Sequence, residues 1–466
     1  MNDGASARPD SETVRGRGNS PLAQQRFRSF DGGVSAAGHL QRPDRHRFWT
    51  PGSGWEPSIA RGSGLSYAAA SFRERGLSIE HRAFNRILGF SSTERIVEVE
   101  AGIELSALHD FLSARGAYLP VQPGHGRITV GGCVAADVHG KNQARDGTFI
   151  NQVVRLTLFH PEQGLIEVDP DKEPTLFRLT CGGYGLTGHI LRVRLQASPI
   201  PADAVELHAI PIDNVASGVV RLAKDALESD FAYTWHDFTL KGLRFGRGFL
   251  FSARFAAAGQ QGRARTGVGS TAPPPLSASG RAAWRLPLLN RWTTPILNFA
   301  YRSRQQTLGA VRSVTLCEVL FPTHRLQYYF GLFGARGFHE YQTVIPNRRI
   351  DEYLAAVGSY LAHRPVAVTL ASGKLFGGDP ELLRFSGAGT CFTLNFPRTR
   401  GAPEFLAFLD KLVVRCEGRP NLIKDSRLPR AVVDACYPDA DRFRSQLRAF
   451  DPKRLFRSEL SERLGL

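Results

Sequence analysis

Between Pro123 and Asn142 the chain reads Pro-Gly-His-Gly-Arg-Ile-Thr-Val-Gly-Gly-Cys-Val-Ala-Ala-Asp-Val-His-Gly-Lys-Asn. Glycines and other small residues dominate this run and leave main-chain N–H groups open to close approach by a large flat ligand. Glycine reaches backbone angles closed to other residues, so such a loop suits a pyrophosphate and the edge of an isoalloxazine ring. Two more glycine-rich loops bracket it, Arg61-Gly-Ser-Gly-Leu-Ser-Tyr67 upstream and Gly182-Gly-Tyr-Gly-Leu-Thr-Gly188 downstream. Each alone reads as an ordinary turn. Three in this order raise the reading above chance.

The elements around these loops are legible in outline. Arg95-Ile-Val-Glu-Val-Glu100 alternates as a half-buried strand does, and Leu105, Leu108, Phe111 and Leu112 follow at helical spacing up to Gly116, giving a β–α unit. Val153 to Phe159 and His189 to Leu195 read as strands, the second leaving the third glycine-rich loop directly. The boundary of a first domain is expected near Ser198, where Ser-Pro-Ile-Pro interrupts the pattern. Residues 256–280 are rich in Gly, Ser, Ala and Pro and read as a flexible insert.

Composition sets limits. A chain of 466 residues suggests two large domains. Six cysteines lack metal-ligand or disulfide-framework spacing, which argues for a reducing compartment and against a metal site. The first 26 residues carry no apolar core of a signal peptide and read as a disordered tail. No run of 18 apolar residues occurs, so no membrane span is expected. Of the net charge of +16, twelve units fall between Phe238 and Cys317, a stretch without Asp or Glu. Such a stretch attracts anionic lipid headgroups, so contact with an anionic membrane is an expectation; a solvated basic face is the alternative, and no nucleic-acid motif accompanies the charge. Trp284, Leu286, Leu288, Leu289, Trp292, Ile296, Leu297 and Phe299 suit a membrane interface or core packing equally.

The three loops, with Ala136-Asp-Val-His-Gly-Lys-Asn142, Tyr341-Gln-Thr-Val-Ile-Pro346, Lys374-Leu-Phe-Gly377 and Lys424-Asp-Ser-Arg427, resemble the vanillyl-alcohol-oxidase or p-cresol-methylhydroxylase (PCMH)-type FAD-linked oxidases, and among them the decaprenylphosphoryl-β-D-ribose oxidase branch. The resemblance runs from about Arg42 to Leu466. It implies an α+β, two-domain PCMH-type fold whose substrate domain is built on an antiparallel sheet. The implied divisions are a tail at 1–26, an FAD-binding domain at 27–198, a substrate domain at 199–415 with a flexible basic insert at 256–304, and a segment at 416–466 returning to the FAD domain.

By the same resemblance FAD is held by Arg61, Gly62, Ser63, Gly64, Leu65, Ser66, Tyr67, Gly124, Thr129, Val130, Gly131, Gly132, His139, Gly140, Lys141, Asn142, Ile190 and Asn421. Covalently flavinylated relatives carry histidine where Leu65 stands, so non-covalent FAD is implied. Lys424 matches a lysine near flavin and sugar and is implied to be catalytic, as proton acceptor or as substrate ligand; its bland reading is an exposed lysine before a helix capped by Asp425 or Ser426. Gln342, Lys374 and His139 join it as catalytic candidates, although a buried, satisfied histidine is the ordinary reading of His139. Trp235, Tyr67, Thr393 and Asn395 are implied to contact substrate, with Thr393 and Asn395 replacing a cysteine and an aspartate of the related oxidases. The implied reaction removes hydride from C2 of the ribose in a polyprenyl-phosphoryl-ribose, as the oxidase half of an epimerisation to arabinose completed by a short-chain NAD(P)H-dependent reductase. Alternatives are a soluble alditol or aldonolactone oxidase and a non-catalytic flavoprotein scaffold at the membrane. Cytoplasmic localisation, with membrane association, is expected.

Overall fold

The computed structural model describes residues 23–49, 55–202, 204–256, 286–322 and 327–466. The expected β–α unit forms as a strand at Ile96–Glu100 and a helix at Leu105–Ser113 that buries Leu105, Leu108 and Leu112. Gly116, with φ of 67°, turns the chain after it into the left-handed conformation that glycine tolerates without steric cost. Strand His189–Gln196 lies at the centre of a five-stranded antiparallel sheet, between Ile96–Glu100 and Val153–His160. A four-stranded sheet beside it carries Ser58–Arg61 at one edge, parallel to Leu77–Glu80. The first glycine-rich loop leaves this edge strand.

An eight-stranded antiparallel sheet makes up the second half of the molecule. Its strands Phe338–Ile345 and Gly389–Pro397 are buried along their whole lengths, because both faces are covered. On one face Tyr341, Phe392, Leu394 and Phe396 pack with Tyr353, Leu354 and Val357 of helix Ile350–His363 and with Phe405 and Leu409 of helix Ala402–Arg415. The side chains between them, Gln342, Thr393 and Asn395, face the other way. Polar residues alternating with aromatics in a fully buried strand mark a lined cavity, since a solid core would leave them unpaired.

The chain's last turns lie against the first half. Ser58 N–H donates to Leu455 O at 2.8 Å, Arg457 N–H donates to Ser58 O at 3.1 Å, and the Phe456 ring sits 5.5 Å from that of His189. Three expected boundaries need correction. Residues 23–26 belong to a strand, Ala23–Arg28, paired with Ser35–Gln41, so the tail reading runs too far; its polar composition hid the pairing partner. Residues 293–304 of the expected flexible insert are helical, within Thr293–Thr307. The eight-stranded sheet gains an edge strand at Arg419–Pro420, beyond residue 415. The expected signal-free tail at residues 1–22 and the low-complexity part of the insert, 257–285, lie outside the described residues. Among the described residues no helix is long and apolar enough to cross a membrane.

Candidate active site

A cavity of about 800 Å³ separates the glycine-rich loops from the eight-stranded sheet. On the loop side, residues Arg61 to Tyr67 line it throughout. Gly64 has φ of 68°, and a Cβ there would come within 2.2 Å of the Arg61 guanidinium; one on Gly62 would meet Thr129 Oγ1 at 2.3 Å. Burial lowers the Arg61 pKa to about 10, with Glu80 opposing, and Arg61 Nη1 donates to Ser71 Oγ at 2.8 Å. Ser63 Oγ is buried in this loop without a hydrogen-bond partner.

Behind this loop Thr129 caps helix Val130–Ala136, its hydroxyl accepting from Gly132 N–H at 3.3 Å. Gly124, Thr129, Gly131, Gly132, His139, Gly140, Lys141, Ile190 and Asn421 also line the cavity. Val130 and Asn142 are not among the lining residues. Val130 faces the other side of its helix and is completely buried among Leu105, Leu108 and Phe149. The Asn142 amide turns away to donate to Pro120 O at 3.0 Å and to Asp146.

Two more loop-side groups are driven toward neutrality. His139 is wedged between the rings of Phe376 and Phe385, with Nδ1 3.0 Å from Gly140 O. Burial, reinforced by Lys374, pushes its pKa down to about 3. Lys141 donates from Nζ to Val319 O at 2.7 Å and Leu320 O at 3.1 Å, and burial, again with Lys374, lowers it to about 7. Lys374 is itself lowered by burial.

The sheet side is built from cross-strand rows. Trp235 registers with Ser372, Ser372 with Thr393, and Thr393 with Gln342, so one row crosses four strands and all four side chains line the cavity. A second row, Leu370, Asn395 and Glu340, lies one pleat repeat away on the same face. Gln342 Nε2 donates to Thr393 Oγ1 at 2.8 Å, and Asn421 Nδ2 donates to Gln342 Oε1 at 2.6 Å.

Lys424 reaches this face from the turn after Asn421. Its Nζ lies 3.2 Å from Glu340 Oε1 and 4.2 Å from the centre of the Tyr67 ring. The turn is pinned: Ser426 Oγ donates to Asp31 Oδ2 at 2.6 Å, and Asp425 pairs with Arg427 at 3.0 Å. The next helix starts at Arg430 with Pro429 as its cap, so neither Asp425 nor Ser426 caps it and Lys424 is no solvated pre-helix lysine. Burial, with Glu340 second, keeps the Tyr67 phenol protonated by raising its pKa.

Glu340 was not singled out from the sequence. It stands two residues before Gln342, and strand alternation puts both on one face. Tyr329, whose hydroxyl lies 2.7 Å from Thr369 Oγ1, also lines the cavity; its helix, Gln327–Gly331, is too short to leave a periodic signal. Among the described residues no cluster of three or more metal-ligating side chains occurs.

A sequence profile described as an FAD binding domain matches residues 56–169. Over 421 residues, 88% of this chain and 89% of the relative, the chain is 30% identical to decaprenylphosphoryl-beta-D-ribose oxidase of Mycolicibacterium smegmatis. It is 29% identical over 388 residues, 78% of this chain and all of the relative, to an "uncharacterized protein in mprA 5'region" of Streptomyces coelicolor. L-gulonolactone oxidase of Mus musculus matches at 32% over 124 residues, 27% of this chain and 28% of the relative. The loop wall fits FAD on its own terms. Gly62 and Gly64 leave no room for a side chain, the Ser63 hydroxyl is buried and unpartnered, and the Arg61 guanidinium of the same loop is buried against Gly64, a donor set that suits a pyrophosphate.

Proposed function

Because this chain belongs to the decaprenylphosphoryl-β-D-ribose oxidase family of PCMH-type, FAD-dependent oxidoreductases acting on CH–OH groups, we propose that it oxidises C2 of the ribose in a polyprenyl-phosphoryl-ribose. The product would be a keto sugar that a separate NAD(P)H-dependent reductase returns as arabinose. Bound FAD supplies the hydride acceptor. The observation that carries the reading is the Lys424–Glu340 pair set against Tyr67 at the meeting of loop wall and sheet wall.

Lys424 Nζ, held 3.2 Å from Glu340 Oε1, can donate a hydrogen bond to the reacting hydroxyl oxygen and stabilise the negative charge that grows on it as its proton passes to water and hydride leaves carbon. Gln342, Thr393 and Asn395 orient the ring hydroxyls by hydrogen bonds. Gln342 is pre-positioned by its bonds to Thr393 and Asn421 and has little freedom left to lose on binding. Neutral His139 adds no charge beside the isoalloxazine, and Trp235 offers an apolar sugar face. Leu65 at the flavinylation position supports non-covalent FAD: acid precipitation should release all yellow colour to the supernatant, and colour retained on the chain refutes it.

The test is anaerobic incubation of purified protein with polyprenyl-phosphoryl-ribose, following loss of the oxidised flavin absorbance. Bleaching by an aldonolactone or alditol alone would favour the second reading, for which the L-gulonolactone oxidase similarity speaks. A flavin that no sugar reduces would leave a scaffold.

A further inference from the structure

Helix Thr293–Thr307 is built inside out. A helix at a protein surface ordinarily buries its apolar stripe and exposes its polar one. Here Thr294, Asn298 and Gln305 are the buried residues, at 1%, 5% and 6% exposure, while Ile296 and Phe299 are exposed at 67% and 61%. Trp292, just before the helix, is exposed at 71%. Spacings of four and three place Trp292, Ile296 and Phe299 on one stripe. Leu286 and Leu288, in the segment leading to it, are exposed at 53% and 47%.

The polar stripe is held inward by specific bonds. Asn298 Nδ2 donates to Asp237 Oδ1 at 2.9 Å, and Arg302 pairs with the other oxygen of the same buried carboxylate. The orientation is therefore fixed by a buried charge, and the apolar stripe is displayed as a consequence. Its location matters as much: Thr294, Leu297, Asn298, Tyr301, Arg304 and Gln305 line the large cavity, so the outward stripe lies on the other side of a helix that forms part of the cavity wall.

The segment that carries it has charge of one sign. From residue 238 to residue 317 there is no Asp or Glu. Arg291, whose guanidinium lies 4.6 Å from the Trp292 ring centre, shares with Lys241 the wall of a smaller apolar cavity that also includes Pro295 at the start of the helix. Arg304 is exposed on the helix, and Arg312 donates to Gln305 Oε1 at 3.1 Å. Exposed Trp, Ile, Phe and Leu on a segment whose only charged side chains are cations are the chemistry of a surface that meets anionic headgroups and the acyl boundary beneath them.

We propose that the Trp292, Ile296 and Phe299 stripe, with its flanking arginines, docks the molecule on an anionic lipid bilayer with the cavity entrance facing the membrane. A lipid-linked sugar then enters with its chain still in the bilayer. A protein partner would be expected to bring acidic side chains into register with particular arginines. The stripe and its cations are instead diffuse, which fits a fluid headgroup layer.

The experiment is flotation of the flavin-loaded full chain with vesicles of phosphatidylcholine plus phosphatidylglycerol, against phosphatidylcholine alone, without substrate, so that its outcome is independent of which sugar is oxidised. The protein should float with the anionic vesicles, with a blue-shifted tryptophan emission. Binding should fade as salt rises, the Debye length falling from about 10 Å at 0.1 M to about 3 Å at 1 M. Trp292→Ser/Ile296→Ser/Phe299→Ser should lower partitioning roughly tenfold or more, and Arg291→Gln alone about fivefold. Both variants should keep the wild-type flavin spectrum and thermal midpoint, since these side chains are exposed and lie outside the lining of the large cavity. Failure of the wild-type protein to float, or equal flotation of the triple variant, overturns the proposal. So does a concentration-dependent dimer in wild type that the triple variant abolishes, because the stripe would then be covered by a second copy. So does loss in the triple variant of binding to the reductase with flotation intact.

Discussion

The loop wall of the cavity meets its occupant with glycines, backbone and a few buried hydroxyls, whereas the sheet wall presents side chains from alternate positions of four strands. On the loop wall nearly every atom is constrained by another: Gly62 against Thr129, Gly64 against Arg61, Gly131 against Ala101 at 3.0 Å. On the sheet wall the backbone ladder is indifferent to which residue faces inward, and Thr393 or Asn395 can change without disturbing the packing of Phe392 and Leu394 behind them. A fixed cofactor is served by the first kind of surface and a variable substrate by the second. Lys424 and Glu340 stand at the seam, one from a turn and one from a strand.

The widest gap between the walls should open at that seam. Lys424→Ala should keep its flavin and lose ~10²–10⁴-fold in the rate of substrate-driven flavin reduction, the range of a general acid–base contribution. The single change also leaves Glu340 buried without its cation, so Lys424→Met/Glu340→Gln serves as the control. Stopped-flow reduction at near wild-type rate in either would erase the distinction drawn for the pair.

A Cβ on the loop wall should act on cofactor instead of turnover. Gly62→Ala drives a methyl into Thr129 Oγ1 at 2.3 Å; overpacking of ~1–3 kcal/mol should weaken FAD binding about 5- to 150-fold, read by titration of apoprotein. Unchanged flavin affinity with slower turnover would place this loop on the substrate side.

Lys141 tests the electrostatics between the walls. Its pKa is near 7 in the folded chain and 10.5 ordinarily, so between those values the unfolded chain binds the extra proton. Stability should therefore rise with pH across that window, and the contribution should be lost as pH falls through 7. Lys141→Met should flatten the rise in urea midpoint over pH 7 to 10.5 relative to wild type. Parallel curves for the two proteins would mean that Lys141 is solvated.

The smallest effect is expected on the sheet wall. Thr393→Cys removes one neutral hydrogen bond from Gln342, worth ~0.5–1.5 kcal/mol, so turnover should fall about 2- to 12-fold with flavin binding intact. It should also make the cavity reactive toward a thiol reagent that leaves wild type active. Loss of flavin from this variant would show the two walls to be one packed unit.

Much of this was legible in the residues themselves. Glycine-rich loops are read locally, because the φ values and close approaches they permit belong to the residues, and alternation in Ile96–Glu100 needs no knowledge of the partner strand. The cofactor and the residues expected to hold it came from the resemblance that these loops carry. Where the side chains of Val130 and Asn142 point was not legible, because proximity along a loop says nothing about which side of a helix start a residue faces. Glu340 went unremarked because a lone acid in a strand acquires meaning only when Lys424, 84 positions later, folds to within 3.2 Å. The same holds for Trp292, Ile296 and Phe299: composition left core and interface equally open, and the buried carboxylate of Asp237, anchoring Asn298 and Arg302, decided which face of the helix turns out. Local chemistry is written in neighbouring residues, but burial and pairing are properties of surfaces that meet only in three dimensions.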